Sequence, residues 1–304
     1  MDTADPADAA ATDDADSAGA RDAAPHPLVS VAELERSLRG DRPPRLLDVR
    51  WRLDRPDGRP AHREGHLPGA VYVDLGSELA GHGLAPTEGR HPLPATDALQ
   101  RSARGWGLRE GEPVVVYDDL GGQSAARAWW LLRAAGLDDV RLLDGGLGAW
   151  TAAGLPLETG DVRPATGDVV LASGQLPTID ADEAADFPSR GILVDSRAGE
   201  RYRGEVEPVD PRAGHVPGAV SVPTSGNLDE SGLFLGPEAL RARYEEAGVR
   251  PGEPVAVYCG SGVTAAHAAV ALTVAGFDPV LFPGSWSAWS SDPDRPVATG
   301  AEPG

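Results

Sequence analysis

The chain repeats itself, and a repeat at this spacing constrains the architecture before any single element is assigned. "LLDVRW" at 46–51 returns as "LVDSRA" at 193–198, and "GHLPGAVYV" at 65–73 returns as "GHVPGAVSV" at 214–222. "LREGEPVVVYD" at 108–118 matches "VRPGEPVAVYC" at 249–259. "AAGLDDV" and "GGLGAW" within 134–150 match "VAGFDPV" and "GSWSAW" within 274–289. Four blocks in one order define a duplicated domain, with halves at 28–157 and 177–300. Short β-branched runs such as "VVVY" and "VAVY" alternate with stretches at 31–40, 97–107 and 237–248 whose apolar residues recur every three or four positions. That alternation predicts an α/β fold in which each half is a small, mostly parallel sheet with helices on both faces.

Residues 158–176 are polar and rich in Gly and Pro, as a linker would be. Residues 1–27 carry seven Asp, no early basic cluster and no apolar run. They read as a solvated, disordered acidic tail rather than a signal peptide or a membrane span. A net charge of -20, from 27 basic and 47 acidic residues, sets the molecule against nucleic acid and anionic membranes as partners. A single Cys allows no intramolecular disulfide and fits a reducing compartment, so a cytoplasmic location is expected.

That one Cys carries the chemistry. Cys259 follows "VAVY" directly and opens the stretch Cys259-Gly260-Ser261-Gly262-Val263-Thr264, which leads into an alanine-rich helix closed at Gly276. In open parallel sheets ligands bind beyond the carboxyl ends of strands, where Cys259 stands. Two glycines let successive N–H groups turn inward as an anion-binding nest, and the helix adds the positive end of its dipole. Both favour a thiolate. Ser261 and Thr264 add hydroxyls. Most lone cysteines are small buried core residues; the strand end, glycine loop and helix start together set this one apart. The first half has Asp118 at the equivalent place, in a loop one residue longer. A carboxylate cannot act as a sulfur nucleophile, so one active site per chain is expected.

At this point the residues resemble the two-domain rhodanese superfamily over nearly the whole chain after the tail. "CGSGVTA" is similar to the active-site loop of its mercaptopyruvate sulfurtransferase branch, and "GHLPGA", "GHVPGA", "DSRAGERYRGE" and "GSWSAW" resemble further signatures in order. The resemblance implies two tandem rhodanese-like domains with catalysis in the second. A persulfide would form on Cys259, supported by Gly260, Ser261, Gly262, Val263 and Thr264. The donor would be a small anionic compound and the acceptor cyanide or a thiol such as thioredoxin, with no metal or organic cofactor.

A neutral loop, with Gly260 and Ser261 in place of basic side chains, favours 3-mercaptopyruvate over thiosulfate; thiosulfate stays open as the alternative. The resemblance implies a substrate Arg at Arg201, with Arg203 equally well a surface group. A second substrate Arg would follow "EP", but Val209 stands there, and Arg212 is the nearest stand-in. His66 is the resemblance's first-half group for proton handling, whereas His215 reads as a turn residue. Asp195 and Arg197 would support the active loop as an ion pair, and Trp51 is a cleft or core residue.

Two readings from other classes compete. A cysteine phosphatase needs Arg six residues after its Cys to grip phosphate, and that position is Ala265. A non-catalytic sulfur-carrier or binding scaffold is the other, argued against by the intact loop.

Overall fold

The computed structural model describes residues 26–304, so the acidic tail expected at 1–27 lies almost entirely outside the described residues. Two separate parallel sheets build the molecule. In the first, β1 (Leu28–Val29), β2 (Arg45–Asp48), β3 (Val71–Tyr72), β4 (Val114–Tyr117) and β5 (Val140–Leu143) run in the order β1-β5-β4-β2-β3. In the second, β6 (Ile192–Asp195), β7 (Val220–Ser221), β8 (Val255–Tyr258) and β9 (Pro279–Leu281) run β7-β6-β8-β9. A parallel bridge from Thr178 to Leu281 marks where the first sheet has β1. The central strands β4 and β8 are buried at every residue, as their unbroken apolar runs require of strands covered on both faces.

The predicted helices form at Val31–Leu38, Thr96–Gly105 and Pro237–Glu246. Each half opens with a capping box at the same repeat position, Ser30 with Glu33 and Asp180 with Glu183. Two helices differ from the rest because they are apolar nearly all round: Ala125–Ala134 after β4 and Thr264–Val274 after β8. A helix without a polar face must be covered on all sides. These two satisfy that by packing on each other across the domain boundary. One hydrophobic cluster therefore runs through both halves, from Leu47 and Val116 to Val257 and Cys259. Because each helix follows a loop at the carboxyl end of a central strand, loops 118–124 and 259–263 are brought to the same seam.

The 158–176 segment is more than a tether. Glu158 pairs with His66 as an antiparallel bridge, and Val169 and Leu171 are buried. The amides of Asp168 and Val169 donate to the Leu108 carbonyl at 3.1 and 3.2 Å. Polar on average, the segment still supplies two apolar side chains that complete the first domain's core.

Candidate active site

Cys259 is placed by the backbone around it. Its N–H donates to the Ser285 hydroxyl at 3.1 Å, and that hydroxyl donates to the Phe282 carbonyl at 2.9 Å. Its carbonyl accepts from Trp286 N–H at 3.0 Å. Ser285 holds a left-handed φ of 54°, rare outside glycine, so the turn carries strain to deliver this hydroxyl. The cysteine sulfur, Sγ, accepts the Gly262 N–H at 3.1 Å. Gly262 has φ 78°, and a Cβ there would lie 2.3 Å from the Pro283 carbonyl oxygen. The N–H groups of Ser261 and Val263 meet no acceptor among the described residues.

The first half shows what such a loop is built to hold. Asp118 accepts four backbone N–H groups: Leu120 and Gly122 at 2.8 Å on one oxygen, Ser124 at 2.7 and Ala125 at 2.9 Å on the other. Burial raises its pKa, and the four amides work the other way. Since both oxygens accept two donors, the geometry is that of an anion. The loop at the seam's other end has the same origin and carries sulfur instead.

Around Cys259 lies a cleft of about 420 Å³ between the domains. Gly260, Ser261, Val263, Thr264, Arg197 and Arg201 line it together with Cys259, while Gly262 serves from behind through its N–H. Trp51 also lines it, and its ring stands edge-on to His91 at 5.3 Å. Arg201 is gripped by Glu207 at 2.7 Å and by Asp210 at 3.2 Å. Burial, with Glu207 close by, pushes Asp210 above the usual carboxylate range although Arg90 and Arg201 oppose it. Burial also acts to raise Glu207, but the Asp210 amide and Arg201 outweigh it and hold that carboxyl low.

Asp195 and Arg197 form the expected buried ion pair at 2.6 Å, and Arg197 also donates to the Gly214 carbonyl at 2.6 Å. The first half has the same arrangement, Arg50 on Asp48 and on the Gly65 carbonyl. A pair present in both halves, one of them without a cysteine, is architecture shared by the repeat.

Two expectations are corrected. Arg212 is outside the cleft, with its donors spent on the carbonyls of Trp289, Ser290, Asp292 and Arg295 at the end of helix Ser285–Ser291. It is spent on carbonyls at and just beyond the helix end, so it is not free for a substrate. His66 is fully buried within the first domain, stacked on His62 at 4.1 Å, with Nδ1 2.9 Å from the Leu67 carbonyl. It plays the part His215 plays in the second half, where Nδ1 meets the Tyr202 carbonyl at 2.8 Å. Both anchor a turn. Arg203 is a surface group paired with Glu205 at 2.8 Å.

The first-half histidine that does reach the cysteine loop is His91, whose Nδ1 lies 2.8 Å from the Ser261 hydroxyl. Burial, then Arg127 and Arg90, lower its pKa to about 4, so the imidazole is neutral near pH 7. Arg127, fully buried, donates to the carbonyls of Gly262 at 3.2 Å and His91 at 2.8 Å, tying the two loops together. Burial lowers its pKa to about 10, with Cys259 acting to raise it, so it stays charged. The loop's own residues are neutral, as expected, and the basic group beside them comes from the first domain. Sequence reasoning missed Arg90, His91 and Arg127. The available signal was "GRHPLP" at 89–94, in a connection (73–95) longer than its counterpart (222–236) and unmatched in the repeat.

A cysteine at a strand's carboxyl end, in a glycine loop at a helix start between two duplicated α/β domains, defines a class of sulfur-handling proteins. The family model for the rhodanese-like domain matches residues 30–153 and 179–292, and the chain belongs to that family. It is 51% identical over 279 residues to a protein of Mycobacterium tuberculosis named "Putative thiosulfate sulfurtransferase SseB", covering 90% of this chain and 97% of that one. It is 47% identical to a "Probable 3-mercaptopyruvate sulfurtransferase" of Pseudomonas aeruginosa, covering 84% and 92%. Among solved structures, the 3-mercaptopyruvate sulfurtransferase SseA of Escherichia coli superposes with TM-score 0.75 at 30% identity, covering 86% of this chain and 98% of that one. The protein is a sulfurtransferase. Among the described residues no helix is long and apolar enough to cross a membrane.

Proposed function

We propose that Cys259 takes a sulfur atom from 3-mercaptopyruvate and passes it to a thiol or to cyanide. One observation carries the reading: Sγ accepts an inward N–H at the floor of an interdomain cleft, in a loop whose twin holds an anion on four amides. In the first step the Cys259 thiolate attacks the donor sulfur and an S–S bond forms. The donor's C–S bond breaks and its electron pair goes to the carbon of the leaving enolate. The proton of the donor thiol ends on that carbon, giving pyruvate and Cys259-S-S⁻. The Ser261 hydroxyl and neutral His91 form the pair suited to moving that proton. In the second step cyanide or an acceptor thiolate attacks the outer sulfur, leaving as thiocyanate or persulfide and restoring the Cys259 thiolate.

Charge supports the choice of donor. Arg90 and Arg201 are matched by Glu207 and Asp210, which leaves the cleft too weakly positive to prefer a dianion. Thiosulfate remains a second reading because the relative at 51% identity is named for it. For the acceptor, a thioredoxin-type thiol in the cytoplasm suits a lone cysteine that must stay reduced to work.

Mixing the protein with each donor and weighing it intact tests the reading. A gain of one sulfur on wild type, absent from Cys259→Ser and faster with 3-mercaptopyruvate, is expected. No gain with any donor would leave only the scaffold reading, and faster loading from thiosulfate would reverse the donor assignment.

A further inference from the structure

The geometry points to Arg90, a residue of the first domain, as a donor-binding residue of the second domain's cysteine site, aimed by Asp210. This rests on the sulfur-transfer reading above and adds to it a specificity-determining group.

Two guanidinium groups converge on the backbone beside Cys259. A Cβ built on Gly260 would lie 3.3 Å from Nη2 of Arg90 and 3.3 Å from Nη1 of Arg201. Asp210 bridges them: one oxygen pairs with Nη1 of Arg90, and the other is 3.2 Å from Nη2 of Arg201. One buried carboxylate thus fixes the far edge of both groups and turns their near edges toward Gly260. Those near edges are unspent. Nη2 of Arg90 and Nη1 of Arg201 make no hydrogen bond among the described residues, and Nε of Arg90 is buried without a partner. Convergent N–H groups of this kind fit the carboxylate of a 2-oxo acid, or another small oxyanion, whose sulfur then lies over Cys259.

Arg90 is also held ready. Its backbone N–H donates to the Ser287 hydroxyl of the second domain at 3.0 Å. Gly89 before it, at φ 89°, approaches so closely that a Cβ would be 2.6 Å from the Gly284 carbonyl oxygen. The segment is clamped to the second domain before any donor arrives, so little ordering remains to be done on binding. Gly260 has no side chain to occupy the space between the two guanidinium groups.

The competing account is that Arg90 and Asp210 merely pin the domains together. Arg90→Lys separates the two, because Lys keeps a cation for Asp210 but has no second nitrogen to offer over Gly260. Arg90→Lys and Arg90→Ala are compared with wild type in the full chain for donor KM, cyanide KM, kcat and Tm, with 3-mercaptopyruvate and thiosulfate. Donor binding predicts donor KM raised about 10-fold in Arg90→Lys and about 10- to 100-fold in Arg90→Ala, the range for a charge-assisted hydrogen bond. Cyanide KM and kcat stay within a few-fold, and Arg90→Lys keeps the wild-type Tm. Unchanged donor KM in both variants overturns the proposal, and so does a rise in donor and cyanide KM together with a fall in Tm. A wild type that takes up no sulfur from either donor overturns the underlying reading and this one with it, a result distinct from wild-type loading that Arg90 does not affect.

Discussion

The His91 imidazole, carried by the first domain, stands 2.8 Å from the hydroxyl of Ser261 on the cysteine loop of the second. Neither domain alone has both groups, so the proposed proton path exists only across the seam. The first domain, whose own loop holds a carboxylate in place of sulfur, contributes instead a connection that is clamped onto its neighbour.

His91→Asn is expected to lower kcat for persulfide loading by about 10²-fold, the lower end of what a positioned acid or base supplies. Because burial and two arginines depress His91 to about 4, its neutral form persists from about pH 5 upward. The wild-type kcat profile should therefore show no break near 6.5, and any acid limb belonging to His91 should fall near 4. A rate profile with an imidazole break at 6.5 that vanishes in His91→Asn would contradict this.

The two loop glycines should separate. Gly262→Ala meets both a left-handed φ of 78° and a backbone oxygen 2.3 Å from the new Cβ, so it should cost about 2 kcal/mol or more. Gly260→Ala meets only the ends of two Arg side chains at 3.3 Å. It should fold with the wild-type urea midpoint while raising donor KM. Equal midpoints for the two variants would count against the loop geometry.

Ser285→Ala removes the acceptor of the buried Cys259 N–H and should destabilise by about 1–3 kcal/mol, the cost of a buried donor left unpaired. Ser285→Gly loses the same hydroxyl but relaxes the φ of 54°, and should recover about 1 kcal/mol of it. Urea melts of the two variants check the order; an alanine variant at least as stable as the glycine variant would show that the turn is unstrained.

Acid should destabilise the protein partly through His267. Its Nε2 faces the Gly121 carbonyl at 3.1 Å and its Nδ1 the Thr224 hydroxyl at 2.7 Å. The first contact requires Nε2–H, which makes Nδ1 the acceptor. Burial lowers the pKa to about 4 from 6.5. The unfolded chain then binds the proton first, so stability is full above 6.5 and is lost as pH falls from 6.5 toward 4. In His267→Gln the Tm should depend less steeply on pH across that window. An identical slope in the variant would rule His267 out as a source of acid sensitivity.

How much of this was legible beforehand follows from where each signal is stored. The duplication, the parallel α/β halves and the cysteine loop are written in local order: "VVVY" and "VAVY" must be buried on both faces, and a Gly-rich turn after such a strand opens onto a helix start. Asp118 could be read as the first half's substitute for Cys259 because the repeat aligns them. Arg212 and His66 were misplaced for the opposite reason. Spacing puts a residue near a motif, but its side chain goes where unpaired acceptors are, and the end of helix Ser285–Ser291 claimed Arg212 first.

By itself the amino-acid sequence determined that this chain is two copies of one sheet-and-helix domain with a single thiol at a strand end. Only the tertiary structure decided what surrounds that thiol. Arg90, His91 and Arg127 are more than a hundred residues from Cys259 along the chain, and although the unmatched connection around 89–94 stands out, nothing local says which loop it will meet. They arrive because two mostly apolar helices had to be buried against each other, and closing that seam carried the first domain's polar groups, Arg127 on one of those helices included, onto the second domain's loop.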